Sequence, residues 1–265
     1  MSDRRPIGIF DSGIGGLTVA GQIQKILPEE DIVYFGDTAR VPYGTKSKET
    51  VTKFSVENVE FLMEKDVKLV VVACNTASSL SLDFLKRCFR VPIIGVIEPG
   101  AKGAVSTTRN NRVGVIGTNA TVSSGAYEKA IKKINSRISV SAQGCPLFVP
   151  LVEEGWLNRD VTRQVASTYL AALKAKKIDT LIMGCTHYPL LREVIQEVMG
   201  RNVLLVDSAK EVAKEARIIL DSAGLLNSPG RKGKHNFFVS DEPSRFVRMA
   251  ERFLKRRIKC AKRPV

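Results

Sequence analysis

Two similar stretches of the chain each combine an apolar run with a cysteine and two polar residues. The first is residues 69–76, LVVVACNT, and the second is residues 180–187, TLIMGCTH. An uninterrupted apolar run of this length is typical of a strand buried on both faces, as in a parallel sheet. Each cysteine then falls at the carboxyl end of its strand, where open α/β sheets place their ligands.

The order of the predicted strands and helices also repeats along the chain. Matching positions lie at nearly constant offsets: 114 − 8 = 106 for Gly8 and Gly114, and 185 − 74 = 111 for Cys74 and Cys185. A constant offset with the same order of elements indicates an internal duplication. We therefore predict an α/β protein of two similar lobes, each a mostly parallel sheet flanked by helices, related by a pseudo-twofold axis with the active site between them.

The boundaries of the two lobes follow from the same pattern. A strand is predicted over residues 92–97, and the next strand is predicted at Arg112. The segment 208–265 is predicted to hold two helices and one strand, which is too little for a third domain of usual size. We therefore expect residues 1–97 with 208–265 to form a discontinuous first lobe, and residues 98–207 to form the second.

Composition and cysteine usage narrow the class of protein. The five cysteines are odd in number, no CxxC pair occurs, and there are only two histidines. This usage favours reduced thiols in the cytoplasm and argues against a disulfide framework or a structural zinc site. No apolar run approaches the roughly 20 residues of a membrane span, and no signal-peptide core follows the N-terminus.

The net charge of +14 raises the question of an acidic partner. Much of the excess lies in residues 231–234 and in the tail that runs from Arg252 through Lys255, Arg256 and Arg257 to Lys262 and Arg263. Such segments can hold nucleic acid nonspecifically. A solvated helix face with a basic tail is the simpler interpretation, since the chain carries no nucleic-acid motif.

The repeated cysteines are the candidate chemical groups. A helix N-terminus after each strand offers free N–H groups, and a thiol there is expected to have a pKa below the free value of about 8.5. A thiolate on one face of a carbon and a thiol on the other would invert a stereocentre. The alternative is that both residues are core cysteines acting as small hydrophobes, but their duplication and polar neighbours favour chemistry.

Polar residues at the other predicted strand ends would complete the site. Asp11, Ser12 and Gly13 lie between a strand and a helix, where backbone donors suit a carboxylate ligand and Asp11 suits an ammonium group. Asp11 as a helix N-cap is the alternative. Tyr43 and Gly44 follow the second strand, and His187 follows the second cysteine and is placed to assist its proton transfers.

Eight short motifs together resemble the glutamate racemases of bacteria, in the aspartate/glutamate racemase superfamily. They are residues 9–17 (IFDSGIGGL), 34–37 (YFGD), 41–44 (VPYG), 73–78 (ACNTAS), 95–100 (GVIEPG), 144–147 (GCPL), 184–189 (GCTHYP) and 206–209 (VDSA). The motifs extend over most of the chain. Their combination is specific, although each motif alone is weak.

The resemblance implies a function and a set of roles. It implies interconversion of L- and D-glutamate to supply peptidoglycan synthesis, with no pyridoxal phosphate and no metal. Cys74 and Cys185 would be the proton donors and acceptors, supported by Asp11 and His187. The residues expected to bind substrate are Asp11, Ser12, Pro42, Tyr43, Gly44, Asn75, Thr76, Thr186 and His187, with Glu153 as a further possible member. The expected partners are the small-molecule substrate and a second copy of the chain in a homodimer.

Two other functions remain open at this point. An aspartate racemase or a related decarboxylase is the first, although a decarboxylase needs only one of the two cysteines. One methylene of difference between substrates is worth about 1–3 kcal/mol and is hard to read from sequence. The second is a basic protein that binds nucleic acid or a topoisomerase.

Overall fold

The computed structural model describes residues 3–254 and 257–262 and contains two separate parallel sheets. The described strands are β1 (Ile7–Asp11), β2 (Ile32–Gly36), β3 (Leu69–Val72), β4 (Ile93–Gly95), β5 (Arg112–Gly117), β6 (Ser139–Gly144), β7 (Thr180–Gly184), β8 (Leu204–Asp207), β9 (His235–Val239) and β10 (Cys260–Lys262). The first sheet has the strand order β10-β9-β2-β1-β3-β4, and the second has the order β6-β5-β7-β8. All pairings are parallel.

Helices surround both sheets. They are α1 (Leu17–Ile26), α2 (Lys48–Met63), α3 (Asn75–Cys88), α4 (Ile97–Thr107), α5 (Asn119–Ser123), α6 (Ala126–Ile134), α7 (Phe148–Glu153), α8 (Asp160–Ala175), α9 (Arg192–Met199), α10 (Ser208–Ser222) and α11 (Pro243–Leu254). Within the described part of the chain, short 3-10 helices lie at Thr38–Arg40, Tyr43–Thr45 and Tyr188–Leu191. Among the described residues, every helix is too short or too polar to traverse a bilayer.

The predicted α/β class with two parallel sheets is confirmed. Within the first sheet the order β2-β1-β3-β4 repeats as β6-β5-β7-β8 in the second, which is the topology a duplicated chain would give. The central strands β1, β3 and β7 are buried along their whole length, as their apolar runs predict. The carboxyl ends of β3 and β7 therefore occupy the same position in two similar sheets.

The region after β4 differs from the prediction. The expected strand over residues 92–97 is three residues long and ends at Gly95, and helix α4 follows at once. This helix was not predicted, because it contains the poor helix formers Pro99, Gly100 and Gly103. The glycines are required by packing: a Cβ on Gly103 would lie 2.8 Å from Glu211 Cγ of α10.

The C-terminal segment contacts the first sheet. β9 pairs with β2, and Phe246 and Ala250 of α11 are buried in the core that contains Tyr34 and Phe237. β10, which the sequence pattern did not predict, extends the same sheet beyond β9. The division into lobes of residues 1–97 with 208–265 and of residues 98–207 stays a prediction.

The basic segments are partly engaged in ion pairs. Arg231 lies 2.6 Å from the Asp31 carboxylate, and Lys262 lies 2.8 Å from the Asp241 carboxylate. These contacts use part of the positive charge within the fold itself. Lys255, Arg256 and Arg263 of the predicted basic tail lie outside the described residues.

A buried ion pair joins the residue before β3 to the loop between α1 and β2, and the segment before β9 hydrogen-bonds to both members. Lys68 Nζ lies 2.6 Å from Glu30 Oε2 and donates to the carbonyl oxygens of Asp3 and Leu225 at 2.6 Å each. Asn227 donates to the Glu30 carboxylate from its backbone and its side chain. Both charged side chains are almost completely buried, so each depends on the other.

Replacing Lys68 by Met should therefore destabilise the protein by about 3–5 kcal/mol, since the Glu30 carboxylate is left buried without its cation. Unfolding in urea measures the change. Lys53→Met removes the same charge from an exposed position on α2 and should change the free energy of unfolding by no more than about 0.5 kcal/mol. Equal stability of the two variants would contradict this account of the pair.

Candidate active site

A small cavity of about 50 Å³ lies between the carboxyl ends of the two sheets and holds both repeated cysteines. Its lining contains all but one of the residues predicted for the site, and Asp11 is the exception. The lining residues are Ser12, Gly13, Val41, Pro42, Tyr43, Gly44, Cys74, Asn75, Thr76, Thr118, Val149, Glu153, Cys185, Thr186 and His187. The first sheet and the second sheet each contribute one cysteine.

Cys74 caps the N-terminus of α3. Its sulfur accepts a hydrogen bond from the Ala77 N–H at 3.5 Å, and its thiol donates to Ser12 Oγ at 3.5 Å. Burial, together with the charge of Asp11, raises the pKa of Cys74 to about 12. The expectation of a lowered thiol pKa is wrong for Cys74, because burial and Asp11 outweigh its hydrogen bonds with Ala77 and Ser12. At neutral pH this burial favours the neutral thiol.

Cys185 has a different set of partners. Its sulfur lies 3.9 Å from His187 Nδ1, and His187 Nε2 lies 3.3 Å from Glu153 Oε1. Burial opposes protonation of His187, but the hydrogen bonds to Cys185 and Glu153 and the charges of Cys185 and Asp11 outweigh it and raise the pKa of His187 to about 10. An imidazolium held beside the Glu153 carboxylate is the arrangement that this geometry stabilises.

Asp11 lies behind the cavity wall at the end of β1. Its Oδ2 accepts a hydrogen bond from the Gly13 N–H at 3.0 Å, and its Oδ1 is buried with no hydrogen-bond partner. Burial raises the pKa of Asp11, and the nearby His187 charge opposes that rise. An unpaired buried carboxylate oxygen is costly, so Asp11 is a candidate functional residue.

Side chains from both sheets provide hydrogen-bonding groups around the cavity. Asn75 Oδ1 accepts from Tyr127 at 2.7 Å, while its Nδ2 is buried without a partner. Thr76 Oγ1 lies 2.9 Å from Thr118 Oγ1, so a residue after β3 meets one after β5. The Tyr43 hydroxyl is already engaged, since it donates to Asp37 and accepts from Asn58. The free Asn75 amide is therefore a donor available to a bound anion.

The loop after β1 packs directly on the loop after β7. A Cβ added to Gly15 would lie 2.2 Å from Thr186 Oγ1 and 2.5 Å from His187 Nδ1. Thr18 Oγ1 reinforces this approach by donating to the Thr186 carbonyl at 3.1 Å. Only glycine allows such a close contact, and it sets the position of His187 relative to the first sheet.

Thr118 and Val149 are lining residues that the sequence analysis did not single out. Thr118 lies 118 − 12 = 106 residues after Ser12, the same offset that relates Gly8 and Gly114. The duplication therefore contained the signal for Thr118. Val149 comes from the short helix α7.

Two comparisons with known proteins bear on the identity of the chain. The sequence pattern of Asp/Glu/hydantoin racemases matches residues 17–216. A glutamate racemase from Geobacter metallireducens is 55% identical over 250 residues, which cover 94% of this chain and 93% of that protein.

Solved structures agree with the sequence matches. The crystal structure of a glutamate racemase isoform from Bacillus anthracis has a TM-score of 0.96 at 41% identity and covers 99% of this chain and 98% of its own. A glutamate racemase from Francisella tularensis, solved in complex with D-glutamate, has a TM-score of 0.92 at 40% identity with the same coverage.

The chain therefore belongs to the Asp/Glu/hydantoin racemase family of enzymes, within its glutamate racemase group. The resemblance drawn from the eight sequence motifs is confirmed. The individual roles expected for Cys74, Cys185, Asp11, His187 and the substrate-binding residues stay predictions, and the geometry above supplies the means to argue them.

A methyl group at position 15 tests the contact between the two loops. Gly15→Ala should lower kcat about tenfold or more, because the added carbon displaces His187 from Cys185. Gly21→Ala is the matched control, since a Cβ there meets only Leu254 at an ordinary 3.4 Å. Steady-state kinetics of both variants measure the difference. Similar loss in both variants, or none in Gly15→Ala, would contradict the assigned role of the contact.

Proposed function

We propose that this protein interconverts L- and D-glutamate without a cofactor, using Cys74 and Cys185 as the two proton-transfer groups. The observation that carries the proposal is that both cysteines, at equivalent strand ends of two similar sheets, line one cavity. A residue on each face of the substrate Cα is the requirement for inversion by deprotonation and reprotonation. The relatives at about half identity that bear the name glutamate racemase support the choice of substrate.

The reaction balances with these two sulfur atoms alone. A cysteine thiolate takes the proton from Cα, and the electron pair of the C–H bond stays on the carbon. The opposite cysteine thiol then gives its proton to the other face of that carbon and becomes the thiolate. The product has the inverted configuration, and the reverse reaction uses the same two groups with their roles exchanged.

The resting state that we propose has one thiolate and one thiol. His187, held by Glu153, lies beside Cys185 and is the group that we assign to exchange a proton with it. Burial keeps Cys74 protonated until the carbon needs its proton. After that transfer the Cys74 thiolate is unstable, and the adjacent Asp11 is the group that we assign to assist its reprotonation.

The negative charge that develops on the substrate must be stabilised by fixed dipoles. The unpaired Asn75 amide, the Thr76 and Thr118 hydroxyls and the N-terminus of α3 all face this region. Preorganised donors of this kind act without reorganising during the reaction. Ser12, Pro42, Tyr43, Gly44, Thr186 and Glu153 complete the wall that we propose contacts the substrate or its carboxylates.

The proposed biological role follows from the product. D-glutamate produced here would enter peptidoglycan synthesis in the cytoplasm, and we propose that the enzyme works as a homodimer. The family resemblance of the motifs supports these assignments.

Solvent exchange tests the proposed reaction. The protein is incubated with D-glutamate in deuterated water with no added cofactor, and optical rotation and deuterium at Cα are followed together. We expect rotation to decay to zero while deuterium enters Cα. Retention of both rotation and protium would contradict the proposal, and D-aspartate in a parallel incubation tests the alternative substrate.

Removing either sulfur should abolish racemisation. Cys74→Ser and Cys185→Ser should each lower kcat by about 10³-fold or more, because a serine hydroxyl is a far weaker proton acceptor than a thiolate at neutral pH. Cys88→Ser, at an exposed cysteine on α3, should leave kcat unchanged. Activity retained in either of the first two variants would contradict the two-cysteine mechanism.

A further inference from the structure

Helix α11 reaches from the core of the first sheet to the Cys185 side of the cavity. Its Phe246 and Ala250 are buried against the first sheet, where the rings of Phe246 and Tyr34 lie 5.9 Å apart. Phe253, near the end of the helix, packs against the cores of both sheets. The helix therefore spans the boundary between the sheets at the place where the site is built.

Three side chains of α11 contact the pair formed by Glu153 and His187. Arg252 Nη1 donates to the Glu153 carbonyl oxygen at 3.1 Å, and Arg245 Nη2 lies 3.9 Å from Glu153 Oε2. The rings of Phe253 and His187 meet edge to face, with centroids 5.9 Å apart and an interplanar angle of 89°. One helix thus contacts the backbone and carboxylate of Glu153 and the ring of His187.

Gly155, which follows α7, leaves room for the Arg252 side chain. Gly155 has a φ of +75°, and a Cβ added there would lie 2.7 Å from Arg252 Nη1 and 2.9 Å from its Cζ. A side chain at this position would push the guanidinium away from the Glu153 carbonyl. Gly155 therefore suits both the backbone conformation and the close approach of Arg252.

We propose that α11 is a strap that positions the Glu153–His187 pair against Cys185, with Arg252, Arg245 and Phe253 as positioning residues. The inference rests on the proposed function, because it concerns how one of the two cysteines is supported. None of these three side chains lines the cavity, so they act through Glu153 and His187.

The strap makes the two thiols structurally unequal. The hydrogen-bond partners of Cys74 are Ser12 and Ala77, which belong to the loop and helix after strands of the first sheet. The partners of Cys185 belong to the second sheet, yet they are held in place by a helix anchored on the first. A change in α11 should therefore act on the Cys185 side of the reaction.

Other charged groups lie near the Glu153–His187 pair and must be considered when His187 is titrated. His187 is influenced by Cys185, Glu153 and Asp11. The recess of about 200 Å³ beside Glu153 is lined by further charged residues, namely Asp241, Glu242 and Arg245. Substituting Arg252 by Met leaves all of these charges in place and removes only the Arg252 cation. Loss of a nearby cation would by itself raise the pKa of His187, so a fall in that pKa reports on position.

The chain has only two histidines, so imidazole NMR can follow His187 directly, with His235→Gln identifying the other signal. We expect the wild-type pKa of His187 to lie near 10. In Arg252→Met the pKa of His187 should fall by about one unit or more, because the hydrogen bond between His187 and Glu153 loosens. kcat should fall about three- to tenfold, with a smaller change in KM.

The controls use the same helix. Arg248→Met removes the same charge from another exposed position on α11 and should change neither the His187 titration nor kcat. Arg252→Lys keeps a cation and a hydrogen-bond donor. Its His187 pKa and its kcat should therefore be close to those of the wild type. Phe253→Leu should change the His187 ring signals while keeping an apolar contact, and it serves if Arg252→Met does not fold.

The outcomes separate this inference from the proposed function. Identical His187 titrations and kcat values in Arg252→Met and Arg248→Met would overturn the strap, as would a wild-type His187 that titrates near 6.5 and is unmoved by Arg252→Met and Phe253→Leu. Since the titration needs no substrate, a wild-type protein that never racemises glutamate would overturn the proposed function and leave the positioning test in force.

Discussion

Parallel pairing of strands is the constraint on which the rest of the structure depends. In a parallel sheet all strands end at the same edge, so the residues that follow them are brought together although they are far apart in sequence. β1, β2 and β3 deliver Asp11, Tyr43 and Cys74 to one edge, and β5 and β7 deliver Thr118 and Cys185 to another. Two such edges facing each other produce a cavity whose opposite walls are chemically similar.

The neighbours of the two buried cysteines then make the two similar walls different in their proton chemistry. Cys74 is surrounded by uncharged groups and the carboxylate of Asp11, which favour a neutral thiol. Cys185 adjoins His187, whose pKa is raised to about 10 by its hydrogen bonds to Cys185 and Glu153 and by nearby negative charges. In the mechanism that we propose, the duplication supplies two thiols at equivalent positions, and their different neighbours supply the asymmetry.

Sequence patterns predicted the parts of the fold that apolar runs control. The apolar runs of β3 and β7 predicted that both cysteines lie at strand ends. The constant offset predicted the duplication that the strand orders of the two sheets reproduce. Helix α4 was not predicted, because glycines are poor helix formers. Its glycines allow close contacts with α10, and sequence alone does not show such contacts. The raised pKa of Cys74 likewise depends on complete burial beside Asp11, a tertiary property that motif spacing does not encode.

The most direct test of the account is a crystal structure of this protein with D-glutamate bound in the cavity. The account predicts that Cys74 Sγ and Cys185 Sγ each approach the ligand Cα to about 3.5–4 Å from opposite faces. Both sulfur atoms on one face of Cα, or either one turned away from the ligand, would contradict it.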